Sequence, residues 1–311
     1  MCEDFPAKDR AETRKHRKIR LEMILSIISI VVGLVLLIYP WVSNYLMQKN
    51  SKASGVVYDE QIEEAEDAEL KEAWAAARAY NEKVQHSQVE LTDPFDPTAL
   101  TAEDMDTASD YNNVLNLNND GCMGYIDIPS INVYLPIMHS TSAESLAAGA
   151  GHLSGSSLPI GGESSHCVIT GHTGLSSAKL FTDLTELEEG DMFYLHILDK
   201  ILAYQVINIQ IVEPTDTEYL RIQDGRDLVT LVTCTPYGIN THRLFVTGER
   251  TEYVVETYQA EEAKAADKIV NSVWMRSYCT AIAVGLCIVV VLWIVSVIIR
   301  KIIRYKKKSC E

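Results

Sequence analysis

The stretch LVTLVTC (228–234), TPYGINTHR (235–243), LFVTGER (244–250) decides the reading of this chain. Its first and last segments carry the β-branched and aromatic residues of strands, and the Pro, Gly and Asn between them are turn residues. Cys234 therefore ends a strand, rigid on one side and reachable on the other. An unperturbed thiol titrates at about 8.5, so it needs a neighbouring base or cation to act near neutral pH. Arg243 lies nine residues on, and a strand–turn–strand path carries it back toward Cys234. A guanidinium stays charged and offers several donors, which suits a substrate carbonyl or a developing oxyanion.

The best base is His172. It follows the apolar strand CVIT within ITGHTGL, between Gly171 and Gly174, whose backbone lets a ligand come close. On spacing alone, a plain surface-loop histidine is the favoured reading. His242 is the rival, although its neighbour Arg243 disfavours an imidazolium there. Cys122 and Cys167 read as small core or strand residues. There is no CxxC pair and no zinc-like spacing, so neither a metal nor a cofactor is expected.

Further out, the chain from Gly124 is rich in short strands. Tyr125–Ile128, Val133–Met138, Cys167–Thr170, Asp191–Leu198 and Leu202–Val212 join Leu228–Thr233 and Leu244–Glu249. Ser142–Ala148 and Lys179–Leu187 read as short helices. Many short strands with few helices indicate a mainly β fold, a barrel or a sandwich. Upstream, Asp59–Gln88 is rich in Ala and Glu and free of Gly and Pro, which predicts one long helix or two short ones. Its apolar face (Ile62, Leu70, Trp74, Ala77, Tyr80) is thin, so it must lean on something else. Leu91–Asn119 is polar, with Pro94 and Pro97, and reads as loop. A helix over Ala260–Asn271 leads into the last apolar run.

Two apolar runs, Met23–Met47 and Tyr278–Ile299, carry no charged residue. Each reaches the roughly 20 residues that cross a bilayer core. The first exceeds the h-region of a signal peptide, and no small-residue cleavage site closes it. Trp41, Tyr45, Trp274 and Tyr278 near the run ends suit the membrane interface. The first 22 residues hold seven Lys and Arg, and Arg300–Lys308 holds six; the long middle segment sets 14 against 37 Asp and Glu. Basic flanks stay cytoplasmic, so both ends are expected inside and the middle outside. A net charge of -16 argues against a nucleic-acid partner. Of seven cysteines only Cys122, Cys167 and Cys234 fall in the exported part, and the odd number implies a free thiol.

Several separated blocks resemble the sortase family. TLVTC (230–234) is similar to the family's TLxTC signature, and TPYGINTHR resembles its class C, pilus-assembling branch. HLSGSSLP (152–159) and GHTGLSSAKLF (171–181) resemble the blocks around the family's histidine. Ser156 departs conservatively from the more usual Thr. The resemblance covers about Gly124–Arg250 and implies an eight-stranded β-barrel, with the family's Cys, His and Arg falling on Cys234, His172 and Arg243. Class C enzymes also have a second, C-terminal span and an N-terminal lid carrying Asp-Pro-aromatic. Asp93-Pro94-Phe95 matches that motif in the polar stretch before the barrel. A common Asp-Pro turn is the plainer reading of the same three residues.

The expected organisation is a cytoplasmic segment 1–22, a span 23–47, extracellular helices and lid 48–119, a catalytic barrel 120–255, a juxtamembrane helix 256–277, a span 278–299 and a cytoplasmic tail 300–311. The implied activity is cleavage of an LPXTG-like sorting signal between Thr and Gly, followed by transfer to a lysine amine of another pilin subunit. A neighbouring gene encoding a protein with an LPXTG motif, an apolar span and a basic tail would identify such a substrate. Alternatives are a housekeeping sortase acting on cell-wall peptidoglycan, a secreted cysteine protease, or a non-enzymatic membrane adhesin.

Overall fold

The computed structural model describes residues 7–87, 90–96, 111–175, 177–268 and 272–308. Eight strands close into a barrel in the order β1-β2-β3-β4-β7-β8-β6-β5. They are β1 (Cys122–Ile128), β2 (Val133–His139), β3 (Ala150–His152), β4 (Ser165–Thr170), β5 (Met192–Ile197), β6 (Lys200–Val212), β7 (Asp227–Thr235) and β8 (His242–Thr251). Closure pairs β5 with β1, and two pairs are parallel, β2 with β3 and β4 with β7. The barrel and seven of its strands follow the expected pattern. The strand missing from the sequence reading is β3, whose three residues are too short for any periodicity to show.

Along the three strands of interest the side chains alternate. Cys167 and Ile169 of β4, Val229 and Leu231 of β7, and Leu244 and Val246 of β8 fill the barrel interior. Their neighbours Val168, Val232 and Phe245 point the other way and join Leu153, Val212 and Leu220 in a second apolar cluster on the outer face.

Helix α1 (Ala7–Glu64) contains the first apolar run and continues past Pro40 and beyond that run without a break. Helix α2 (Asp67–His86) follows after a break at Ala65–Glu66, so the Ala/Glu-rich stretch is divided between the two. Trp74, Ala77, Tyr80 and Val84 are the buried stripe of α2, at helical spacing. The helix does lean on the barrel. Trp74 Nε1 donates to Asp199 at 2.6 Å, and Asn81 makes a two-way contact with the backbone of Leu158, its Oδ1 accepting from the Leu158 N–H at 2.7 Å. Tyr58 of α1 reaches into the barrel end, its Oη accepting from Leu198 N at 2.9 Å. A Cβ at Gly55 would collide with the ring of Tyr134, so glycine lets α1 lie against β2.

The expected helix Ser142–Ala148 is α3 (Ala143–Ala148), capped by Ser142, which accepts from Ser145 N. Over Lys179–Leu187 the structure corrects the sequence reading: the element is a 3-10 turn, Thr182–Glu186. The reason lies in a node at its start. Lys179 Nζ pairs with Asp183 at 2.7 Å and donates to Ile131 O at 2.6 Å, with both side chains 9% exposed or less. The Lys179 N–H goes to Asn44 Oδ1 of α1 at 2.9 Å, and Asp183 Oδ1 accepts from Trp274 N of the last helix at 3.1 Å. The tightened turn lets one ion pair serve three elements.

Helix α4 (Val255–Lys268) begins earlier than expected, and 269–271 at the end of the predicted helix lie outside the described residues. Helix α5 (Val273–Lys308) contains the second apolar run. By length and composition α1 and α5 are each able to cross a membrane. Of the predicted loop Leu91–Asn119, residues 97–110, including Pro97, lie outside the described residues, as do Cys2 and Cys310.

Asp183→Ala would leave the buried Lys179 ammonium without its counter-charge and should cost about 3–5 kcal/mol, read by urea unfolding of the detergent-solubilised chain. Lys179→Met combined with Asp183→Leu, which removes both charges, should lose less. An equal loss would assign the cost to the severed Trp274 contact instead.

Candidate active site

The site is set by register. β4 and β7 pair in parallel with Thr170 opposite Val232, and the pairing continues one step through Gly171 N donating to Val232 O at 3.0 Å. Two residues beyond that pair stand His172 and Cys234. β7 and β8 pair antiparallel with Cys234 opposite Arg243. The three sequence-predicted residues thus fall in one row at the ends of adjacent strands, on the outer face that bears Val168, Val232 and Phe245.

His172 is fixed through its backbone. Phe181 N donates to His172 O at 3.1 Å, and Thr233 Oγ1 donates to Gly171 O at 2.7 Å. A Cβ at Gly171 would stand 2.7 Å from the Phe181 ring, so glycine admits the ring that braces the histidine loop. Cys234 is half-buried, and it, Cys122 and Cys167 are all free thiols. Cys122 and Cys167 lie in the core cluster, as expected. The rival His242 sits one residue off the row, opposite Thr235, and engages Glu213 at 3.2 Å and Thr241 at 2.9 Å.

Asp93-Pro94-Phe95 lies directly on this row. Asp93 grips Arg243 in a two-point fork, Nε to Oδ1 at 2.8 Å and NH2 to Oδ2 at 2.6 Å. The remaining guanidinium nitrogen donates to the carbonyls of Asn240 and His242. Phe95 lies between two members of the row, with the Arg243 guanidinium 5.1 Å from its ring centre and the His172 ring 5.7 Å away. Phe95 and Leu91 pack on the outer apolar cluster, and Pro94 is buried. The segment is locally stiff: Asp96 N donates to Asp93 O at 3.0 Å, closing a turn around the proline.

Electrostatics follow this arrangement. Burial pushes the Cys234 thiol above its ordinary range, the Arg243 charge draws it down, and Asp93 adds to the rise. Burial lowers the His172 imidazole. Both shifts disfavour the charged form of their own group, thiolate on Cys234 and imidazolium on His172.

Sequence reasoning missed the apolar floor of the site. Its signal was present, because Val168, Val232 and Phe245 alternate with the inward residues of their strands, but which face was the outer one depended on closure. It also passed over two buried histidines. His152 is held between Tyr111 Oη and Ser157 O, both at 2.9 Å, and His166 between Arg221 O and Thr230 Oγ1; burial pushes each down to about 4. The Ser156 departure costs no hydrogen bond, since its Oγ donates to Leu153 O and accepts from Val168 N.

The sortase domain family model matches residues 126–251. Among curated proteins the chain is similar to Sortase D of Bacillus subtilis, 32% identical over 41% of this chain and 63% of that protein. It is also similar to Sortase A of Bacillus anthracis, 29% identical over 43% of this chain and 61% of that protein. It thus spans less than two thirds of either. Among solved structures, sortase C-1 of Actinomyces oris is 44% identical, with a TM-score of 0.56 over 60% of this chain and 99% of that one. Streptococcus pneumoniae sortase C, whose structure is described with its pilin substrate specificity, is 42% identical, with a TM-score of 0.57 over 65% and 97%. Sortase C1 of Streptococcus agalactiae is 40% identical, with a TM-score of 0.59 over 65% and 100%.

The thiol's titration tests the charge balance. Removing the Asp93 charge by Asp93→Asn should lower the pH midpoint of Cys234 alkylation, because a neighbouring anion disfavours thiolate; Arg243→Gln should raise it, because a cation is lost. Iodoacetamide rates across a pH series would show both shifts, and unmoved midpoints would separate the row from the thiol.

Proposed function

The chain belongs to the sortase family, and on that premise we propose that it is a class C cysteine transpeptidase that polymerises pilins. The observation that carries this reading is the row of His172, Cys234 and Arg243 beneath an Asp-Pro-Phe segment. The substrate class is supported by likeness to sortase C structures, one of them described with pilin specificity. Both apolar helices then cross the membrane, with the basic ends on the cytoplasmic side and the barrel outside; their apolar length and the basic flanks support this.

In the mechanism, the Cys234 thiolate attacks the Thr–Gly carbonyl of an LPXTG-like signal and forms a C–S bond. Arg243, released from Asp93, holds the carbonyl oxygen as it takes up charge. The C–N bond breaks as protonated His172 gives its proton to the departing glycine amine. A lysine amine of another pilin subunit then attacks the thioester, surrenders a proton to His172, and expels Cys234 as thiolate. The productive pair is the minority thiolate–imidazolium form. Asp93 and Phe95 serve as a lid that must leave, since they occupy the guanidinium and the apolar floor on which a substrate would lie.

Curated likeness to Sortase A and Sortase D favours, as a second reading, attachment to a cell-wall amine. Offering purified enzyme both a pilin lysine donor and a peptidoglycan-type amine decides between them.

Cys234→Ala and His172→Ala should abolish polymer on a denaturing gel while leaving the barrel folded. Arg243→Lys should be strongly impaired, because a point charge cannot reproduce the fork; a wild-type rate would make Arg243 structural. Replacing Asp93 and Phe95 together with Ala should speed maleimide labelling of Cys234 about tenfold or more. Equal labelling rates, with folding intact, would reduce the segment to a turn.

A further inference from the structure

Below the barrel, α1 and α5 stand apart and leave a cleft of about 660 Å3 between them. Gly33, Leu37 and Pro40 line one wall, and Ala281, Gly285 and Val289 the other. Tyr237 joins the lining at the barrel end, and it lies three residues beyond Cys234 in the β7–β8 turn. No residue of the lining is charged. A Cβ added at Gly33 or Gly285 would meet nothing within 4 Å, so both walls have bare backbone facing open space.

The cleft has a set position relative to the site. Asn44 ties α1 to the Lys179 backbone, while Trp274 and Arg276 tie α5 to Asp183 and Glu186. The same segment carries Phe181, whose N–H holds the His172 carbonyl. The walls of the cleft and the histidine loop are therefore anchored on one short stretch of chain.

We propose that this cleft receives the membrane-spanning helix of the substrate, the apolar segment that follows the scissile bond, and so delivers that bond to Cys234. The inference rests on the transpeptidase reading above. Its occupant follows from the setting. Both walls belong to helices that cross the apolar layer, so whatever fills the cleft lies in that layer too. Lipid tails are as apolar as leucine, so area alone gives a partner helix no advantage there; close backbone approach does. A glycine facing open space on each wall provides for that approach. Tyr237, three residues beyond Cys234, lines the cleft, so a helix seated in it meets the turn that follows Cys234. A second copy of this chain would fill the cleft with a span but bring no scissile bond to the site.

The test uses the full chain in lipid nanodiscs with two substrates, a pilin that keeps its membrane span and a soluble peptide carrying the same sorting sequence. A photoreactive residue in place of Ala281 should crosslink to the span of the anchored pilin. The same residue in place of Ala283, which faces away from the cleft, should crosslink to lipid. Gly33→Leu and Gly285→Leu should lower turnover of the anchored pilin about tenfold relative to the peptide, the scale of one close helix contact. Crosslinks from Ala281 only to lipid or to a second copy, or equal losses on both substrates, would overturn the proposal. If the unaltered chain cleaves neither substrate, the transpeptidase reading fails, while the crosslinks still report on the cleft.

Discussion

The pairing of β7 with β4 on one side and β8 on the other is the constraint on which the rest depends. It puts Thr170 opposite Val232 and Cys234 opposite Arg243. A slip of one residue in either ladder would turn every side chain of a strand to the other face. Val229 and Leu231, with Cys167, Ile169, Leu244 and Val246, hold that register by filling the barrel interior. The outward aim of the thiol is thus secured by residues that never touch the site.

The same register explains why the resting site is closed. An arginine at the edge of an apolar floor needs a partner for its charge, and Asp93 supplies it. The fork brings the Asp93 negative charge beside the thiol, where it disfavours thiolate and works against the pull of Arg243. A largely buried ion pair is a weak source of stability because desolvation offsets its attraction. That weakness fits the lid role proposed for Asp93, and Phe95 on the apolar floor adds a second contact of the same segment.

The barrel is also mechanically joined to the apolar helices. Lys179 and Asp183 are spent on packing rather than on chemistry, yet they bind Asn44 on α1 and Trp274 on α5 to the segment that braces His172. The orientation of the two helices and the position of the histidine loop are set together.

Much was legible without coordinates. The short runs of β-branched residues announced a mainly β fold, a barrel or a sandwich, because covered strands leave that trace, and only the resemblance of the motif blocks pointed to a barrel. The two apolar runs and their basic flanks announced helices of membrane length, because crossing a bilayer is a matter of length and charge. Cys234, His172 and Arg243 stood out as residue types that chemistry requires, at strand ends and beside glycines. Only the tertiary structure decided which face of β4, β7 and β8 looks outward, since alternation names two faces without ranking them. It alone revealed β3, too short for any period, and the tight turn after Lys179, where bonds to Ile131, Asn44 and Trp274, all distant in sequence, compete with local helix propensity. The seat of Asp93 and Phe95 was likewise beyond the sequence. Their contacts with Arg243 and His172 span stretches of chain far too long for local rules, and only closure of the barrel brings them together.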